Sequence, residues 1–394
     1  MRSRVVTILA VLVTSAAALA VPPATATATA TAAPDARAAT VRLVTNGFGH
    51  GHGLSQYGAQ AQALAGRSTQ QILRFYYPSL ANGTATGTMK VLLSADTTTD
   101  VVVLDRPGLR VRSLGNARTY RLDKPAAARR WRITPASGGR STIAWKGARG
   151  SWHTARTVPG EAELSAGGQP VTLVTPSGRR AYRGALRSAL PSAGARTRHT
   201  VNVVPLESYL RGVVPREVFP SWKPAALRAQ AVAARTYAAF ERADYSRRYF
   251  HVDDTTSSQV YGGVTNEVSS TDAAIKATAR QVLTSGGRPA FTQFSASNGG
   301  WMSAGSQPYL VAKQDPYDDR YQGVTDSIAA GELERAFPAI GTFQRVEVVT
   351  RDGNGQWGGR VTLIRIVGSQ TSTAVSGETF RSYFGLNSSW FDLR

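Results

Sequence analysis

The chain has 394 residues, a formal net charge of +21 and no cysteine. That length leaves room for a sizeable core, and the missing cysteines exclude disulfides and thiolate metal sites. A balance this basic, carried mostly by arginine, points to an anionic partner: nucleic acid, a membrane surface or an acidic polymer.

The first twenty residues decide among these. A basic Met1–Arg4, an apolar Val5–Leu19 and a small-residue cleavage signal at Ala18-Leu19-Ala20 read as a secretory signal peptide. The apolar run is short for a membrane span. Residues 21–39 form a Thr/Ala/Pro tract without large apolar side chains, which is expected to be a disordered linker. An exported chain without a nucleic-acid-binding motif is expected to meet the anionic polymers of a cell wall and no nucleic acid.

From Thr40 the chain alternates as a strand, Val41–Thr45, and then enters NGFGHGHGLSQYGA. Glycines at 47, 49, 51 and 53 permit backbone conformations closed to other residues and a close backbone approach. His50 and His52 could face one side of a strand, but no third ligand stands at a convincing spacing, so no metal or other cofactor is expected. Helices are expected over 56–64, ended by Gly66, and over 69–76, ended by Pro78. Residues 90–166 carry short β-type runs separated by Gly, Pro, Asp and Asn, which suits an antiparallel insertion or subdomain. Trp131, Trp145 and Trp152 in this region suit the core of a small sheet, with a polymer-binding face as the alternative. A hairpin is expected around Pro176-Ser177-Gly178.

Asn202–Pro205 reads as a strand end, followed by a short helix with Leu206, Tyr209 and Leu210 on one face. A polar break carrying Glu217 is expected next. Ser221 is the expected N-cap of a long Ala-rich helix over 225–240, with Pro224 in its first turn. Leu227, Ala231, Ala234 and Ala238 make a narrow stripe on that helix, and Gln230 and Arg235 are polar residues inside it. A carboxyl at Glu217, beside Val218, Phe219 and Trp222, would be partly desolvated and suited to a general acid. Glu207 is explained as a first-turn residue favoured by the helix dipole. A further helix is expected over 271–283, and paired strands over 343–367.

Three stretches resemble one family. GVVPREVFPSWKPAALRAQAVAARTYA is similar to the signature of the SpoIID/LytB (stage II sporulation protein D) family. GHGHGLSQYGAQAQALAGRSTQQILRFYYP resembles its Gly-His-Gly-x-Gly-Met-Ser-Gln-Tyr-Gly-Ala segment, and FTQFSASNGG its Phe-Ser-Ala-Ser-x-Gly-Gly segment. The resemblance implies an α+β mixed fold, with residues 171–394 as the main part and residues 40–80 as a displaced piece. In typical members the Gly-His segment closes the domain. Here it opens the chain, and GETFRSYFGLNSSWFDLR at the end resembles the stretch that normally precedes it. The domain therefore looks circularly permuted, and Phe391–Leu393 is expected beside Val41–Thr45.

The resemblance also implies an activity: peptidoglycan lytic transglycosylation, with Glu217 as the catalytic acid. His52, Gln56, Trp222, Arg235, Ser295 and Asn298 are then the candidates for holding the glycan. Members with a zinc site carry cysteines where this chain has Thr255, Thr256, Ser257 and Ser258, so zinc is not expected. His251, Asp253 and Asp254 read as a solvated polar loop. The competing reading is a non-catalytic wall-binding protein or enhancer of a wall amidase.

Overall fold

The computed structural model describes residues 40–123, 125–246 and 248–394. The expected signal peptide and linker lie outside the described residues. None of the described helices is long and apolar enough to cross a membrane.

Among the described residues, seven α-helices and many strands make an α+β architecture: α1 (Gln56–Leu64), α2 (Thr69–Tyr76), α3 (Leu206–Glu217), α4 (Pro224–Asp244), α5 (Ser269–Ala277), α6 (Ala330–Ala336) and α7 (Gly377–Phe384). The long helix α4 is the axis of the fold. Leu227, Ala231, Ala234 and Ala238 pack into one core with the β-sheets and α3. Ala226, Ala229, Val232 and Ala233 pack into a second core with α1 and α2. Alanine suits both duties, because it is the best helix former and lets neighbours approach closely on two sides. A third core, around Leu43, Ile364, Phe380 and Phe391, belongs to the C-terminal elements.

The β-rich region is woven into the rest. One seven-stranded sheet pairs Thr88–Leu92 with His199–Pro205, then continues through Ala185–Ala189 and Ala162–Ser165 to Arg110–Ser113 and Thr119–Arg121. A six-stranded sheet joins Val101–Leu104 and Arg130–Ala136 to the hairpin Val171–Thr175/Gly178–Tyr182. Strands from 90–166 and from 171–205 therefore share sheets and one core. Trp131 is buried in that core with its indole N–H on Asp105 (2.8 Å). Trp145 stacks on His153, and Trp152 lies under Arg132.

Several boundaries differ from the sequence reading. α3 does not break before Glu217: it runs through Pro215 and ends on Glu217. Proline removes one helical N–H but leaves the last turn closed by Val218 N–H donating to Val214 O (3.1 Å). The N-cap of α4 is Lys223 rather than Ser221, and Pro224 takes the first helical position, where its missing N–H costs nothing. The expected helix over 271–283 ends at Ala277, because the β-branched Val282 and Thr284 join a strand that pairs with Ala81–Thr84.

The two chain ends of the described fold meet. Phe391–Leu393 pairs antiparallel with Thr40–Thr45, which on its other edge pairs with Val324–Ala329.

Candidate functional site

The Gly-His loop is held against the Phe-Ser-Ala-Ser-Asn segment by backbone pairing. Phe48 and Ser297 exchange N–H···O bonds of 2.8 and 3.0 Å, and Leu54–Ser55 pairs parallel with Phe294–Ser295. The approach is close enough that a side chain at Gly49, which has φ +107°, would put its Cβ 2.7 Å from that of Ser295. Only glycine fits there.

Two buried carboxylates lock the junction. Asp318 accepts from Ser55 Oγ (2.6 Å), Ser297 Oγ (2.9 Å) and the Asn298 N–H (2.6 Å). Asp315 accepts from Tyr76 OH (2.8 Å) and Asn298 Nδ2 (2.8 Å). Burial pushes both carboxyls above the usual range, and these hydrogen bonds pull them part of the way back.

Ser55 also caps α1 by accepting from the Gly58 N–H (3.1 Å). That cap sets Gln56, the first residue of α1, opposite the end of α3. Gln56 Nε2 donates to Glu217 Oε2 (3.5 Å), and the Val260 N–H donates to Oε1 (3.2 Å). The carboxyl faces a cavity of about 320 Å³ whose other walls include His50, Tyr237, Ser257, Ser258, Gln293 and Ser295. Glu217 is the one acidic residue among the described residues that line it. Desolvation raises its pKa; the Val260 N–H, the Gln56 amide and the nearby Arg216 charge oppose that rise without cancelling it. Its place at a helix C-terminus acts in the same direction as burial, since the helix dipole disfavours an anion there. The result is a carboxyl that holds its proton to higher pH than an ordinary glutamate and presents it to a polar cavity.

The other sequence candidates divide. Gln56 and Ser295 reach the Glu217 site. Trp222 does not line that cavity but stands in a row of aromatic rings: Trp222–Tyr57 (5.2 Å between centroids), Tyr57–Tyr321 (5.6 Å) and Tyr321–Phe48 (5.2 Å), with Phe219 against both Tyr57 and Trp222. Phe219 is 57% exposed and Phe48 40% exposed, so the row opens to solvent. Tyr321 holds a left-handed φ of +54°, an unusual strain for an aromatic residue.

Three more candidates are not brought to the cavity. Arg235 is fully buried and forms a bidentate pair with Glu207, Nε–Oε1 and Nη2–Oε2 both 2.8 Å; its remaining N–H groups serve the Ile275 and Gln281 carbonyls. Its side chain joins α4 to α3 and α5 and cannot reach a glycan. Glu207 is accordingly a structural counter-ion as well as a first-turn residue. Asn298 is buried too, its amide committed to Asp315 and the Gly300 N–H. His52 faces away, its Nδ1 on Ser303 O (3.2 Å), and it is His50 that lines the Glu217 cavity. The His52 N–H donates to His50 Nδ1 (3.0 Å), which fixes His50 as the Nε2–H tautomer, and burial lowers its pKa to about 3.

Tyr237 and Val260 were missed because a half-buried tyrosine on an Ala-rich helix and a valine N–H carry no chemical signature in sequence. Among the described residues no cluster of three or more His, Cys, Asp or Glu could hold a metal. Asp253 accepts from Thr255 and Ser258, Asp254 from Ser94, and His251 Nδ1 from the Lys90 N–H.

A helix-borne carboxyl held at the junction of a Gly-His loop and a Ser-rich turn is the site of an α+β domain, and relatives can be found for it. Residues 195–285 match the stage II sporulation protein (SpoIID) family, and this chain carries a SpoIID-family domain. It is 30% identical over 227 residues to the stage II sporulation protein D of Bacillus subtilis (strain 168), covering 50% of this chain and 62% of that protein. The protein of the same name from Bacillus amyloliquefaciens is 28% identical with the same coverage. An amidase enhancer of Bacillus subtilis (strain 168) is 40% identical over 131 residues, which is 32% of this chain and 17% of the enhancer. The chain thus spans less than two thirds of these relatives.

Proposed function

We propose that this chain is an exported cell-wall protein that cleaves peptidoglycan glycan strands as a lytic transglycosylase, with Glu217 as its single acid and base. The observation that carries the reading is a carboxyl of raised pKa, positioned by Gln56 and Val260, with no second acid on the described walls of its cavity. A hydrolase would use a second carboxylate to activate water or attack the sugar. A lytic transglycosylase needs one. Protonated Glu217 gives its proton to the glycosidic oxygen between the muramoyl and glucosaminyl sugars as the C1–O bond breaks. The carboxylate left behind faces the positive charge developing at C1 and then takes the proton of the muramoyl C6 hydroxyl, whose oxygen closes on C1 as a 1,6-anhydro ring. Ser295, Gln293 and the Ser257–Ser258 turn offer hydrogen bonds to hydroxyl and N-acetyl groups, while Trp222 and the aromatic row beside it offer stacking faces.

The test is to incubate glycan strands, with and without stem peptides, with the protein and with a Glu217→Gln variant. Mass spectrometry should find 1,6-anhydromuramoyl ends only with the unaltered protein. No such product on either substrate would sink the catalytic reading.

A second reading is favoured by the similarity to an amidase enhancer: a wall-binding protein that acts through a wall amidase. It keeps the groove and dispenses with the acid, so Glu217→Gln would leave its effect on an amidase intact. In either role the +21 charge favours anionic wall polymers. The pairing of Phe391–Leu393 with Thr40–Thr45 supports a permuted order of the domain. Joining Arg394 to Thr40 and reopening the chain near residues 85–87 should then give a protein that still folds.

A further inference from the structure

A second cavity, of about 420 Å³, lies on the other side of the Gly-His loop and shares His50 with the Glu217 cavity. Its walls include His52, Asp352, Arg360, Thr362 and Glu378, so the C-terminal strands and α7 build one half and the loop the other. Arg360 is 5% exposed, lies against Gly51 and sits 5.8 Å over the Trp390 ring. Its guanidinium donates to two backbone carbonyls, Gly49 O (3.4 Å) and Asn298 O (3.2 Å), and to no carboxylate among the described residues.

Neither acid of this cavity accepts a hydrogen bond from the Arg360 guanidinium. Glu378 accepts from Arg381 (2.9 Å) and Ser389 Oγ (2.7 Å). Asp352 Oδ1 accepts from the Asn354 (3.1 Å) and Arg360 (3.0 Å) N–H groups. Asp352 and Glu378 support the Arg360 charge through space, but burial still lowers its pKa to about 10, and its long, neutral hydrogen bonds leave a direct charge-assisted bond for a ligand carboxylate to make. The neighbouring imidazoles bring no competing positive charge, since burial lowers the pKa of both.

We propose that this second cavity binds a carboxylate carried by the 3-O substituent of the muramoyl sugar whose glycosidic bond lies at Glu217. The inference rests on the glycan reading above and adds a specificity to it. His50 lines both cavities, so a sugar seated in the first has the second across the His50 ring, within reach of a short acidic substituent. The carboxylate is either that of the lactyl group itself or one from an attached peptide.

The experiment measures binding by calorimetry in a Glu217→Gln background, so that nothing is turned over. Three tetrasaccharides are compared: a chito-oligosaccharide, which has no carboxylate, a muramoyl glycan with free lactyl groups, and the same glycan bearing stem peptides. At least one muramoyl form should bind tenfold or more tightly than the chito-oligosaccharide, and which form does so names the source. Arg360→Met should abolish the difference. Because that buried variant risks misfolding, Thr362→Glu on the exposed rim is its companion: it should weaken the muramoyl glycan about threefold, and Thr362→Lys should not. Equal affinity for all three glycans would overturn the carboxylate site and leave the Glu217 groove standing. Absence of binding by all three would overturn both.

Discussion

The buried pair Arg235–Glu207 offers the sharpest separation of scaffold from site. Arg235 is wholly buried on α4, and Glu207, on the first turn of α3, is its one carboxylate partner among the described residues. Replacing Glu207 with Gln keeps the shape but removes the counter-charge from two 2.8 Å bonds. Breaking a buried pair by removing one partner costs about 3–5 kcal/mol. The Glu207 side chain is 39% exposed, so water can reach the guanidinium edge, and a smaller loss, about 2–3 kcal/mol, is expected. The loss should appear in a urea titration as a fall in midpoint at unchanged slope. Affinity of the folded variant for glycan, measured well below the new midpoint, should stay within about twofold. A variant that kept its stability but lost glycan affinity tenfold would refute the structural role and return Arg235 to the groove.

Three further outcomes follow from the same geometry. Gln56→Ala removes a hydrogen bond that favours the carboxylate form of Glu217, so the high-pH limb of the activity profile should move upward; a shift downward would contradict the assignment. Phe219→Ser, at an exposed ring of the aromatic row, should weaken glycan binding by roughly 0.5–1.5 kcal/mol while thermal stability stays unchanged; unaltered affinity would remove the row from the binding surface. Glu241 is pushed up to about 7 by burial and by the neighbouring Asp244. Its folded pKa exceeds its ordinary 4.5, so the contribution is fully present below about pH 4.5 and is lost as pH rises through about 7. A shift of that size is about 3 kcal/mol at full burial, and partial solvation leaves roughly half. Glu241→Gln should flatten the fall in stability between those pH values, and an unchanged curve would clear Glu241.

How much of this was legible in sequence depends on the range of the interaction. α1 was readable to its last residue, since Gly66 and the preceding Ala/Gln pattern are local signals. The stripe Leu227, Ala231, Ala234 and Ala238 correctly marks one buried face of α4. The opposite buried face was not distinguished, because alanine looks the same on either side. Arg235 and Asn298 were misplaced as ligands for a common reason: an unusual polar residue in an apolar stretch signals a partner, but not whether the partner is substrate or protein. Their partners, Glu207, Asp315 and Asp318, lie 28, 17 and 20 residues away, and only the fold shows that they close the account. The continuous sheets linking 90–166 to 171–205 were equally invisible, since strand pairing is non-local.

The site therefore has a division of labour that composition alone would not suggest. The residues with the strongest chemistry, Arg235, Asp315 and Asp318, are spent on fixing helices and loops to one another. On the proposed reading, catalysis is left to one ordinary glutamate whose surroundings change it. Because Gln56 comes from the start of the chain, Val260 from its middle and Glu217 from the end of α3, the carboxyl is tuned only when the three segments are docked together. The Gly-His loop is the hinge of that arrangement: Gly49 admits Ser295 on one side, Gly51 admits Arg360 on the other, and His50 is the wall between two cavities. A β-carbon at either glycine should thus damage both cavities together, whereas a change at Thr362 should touch only one.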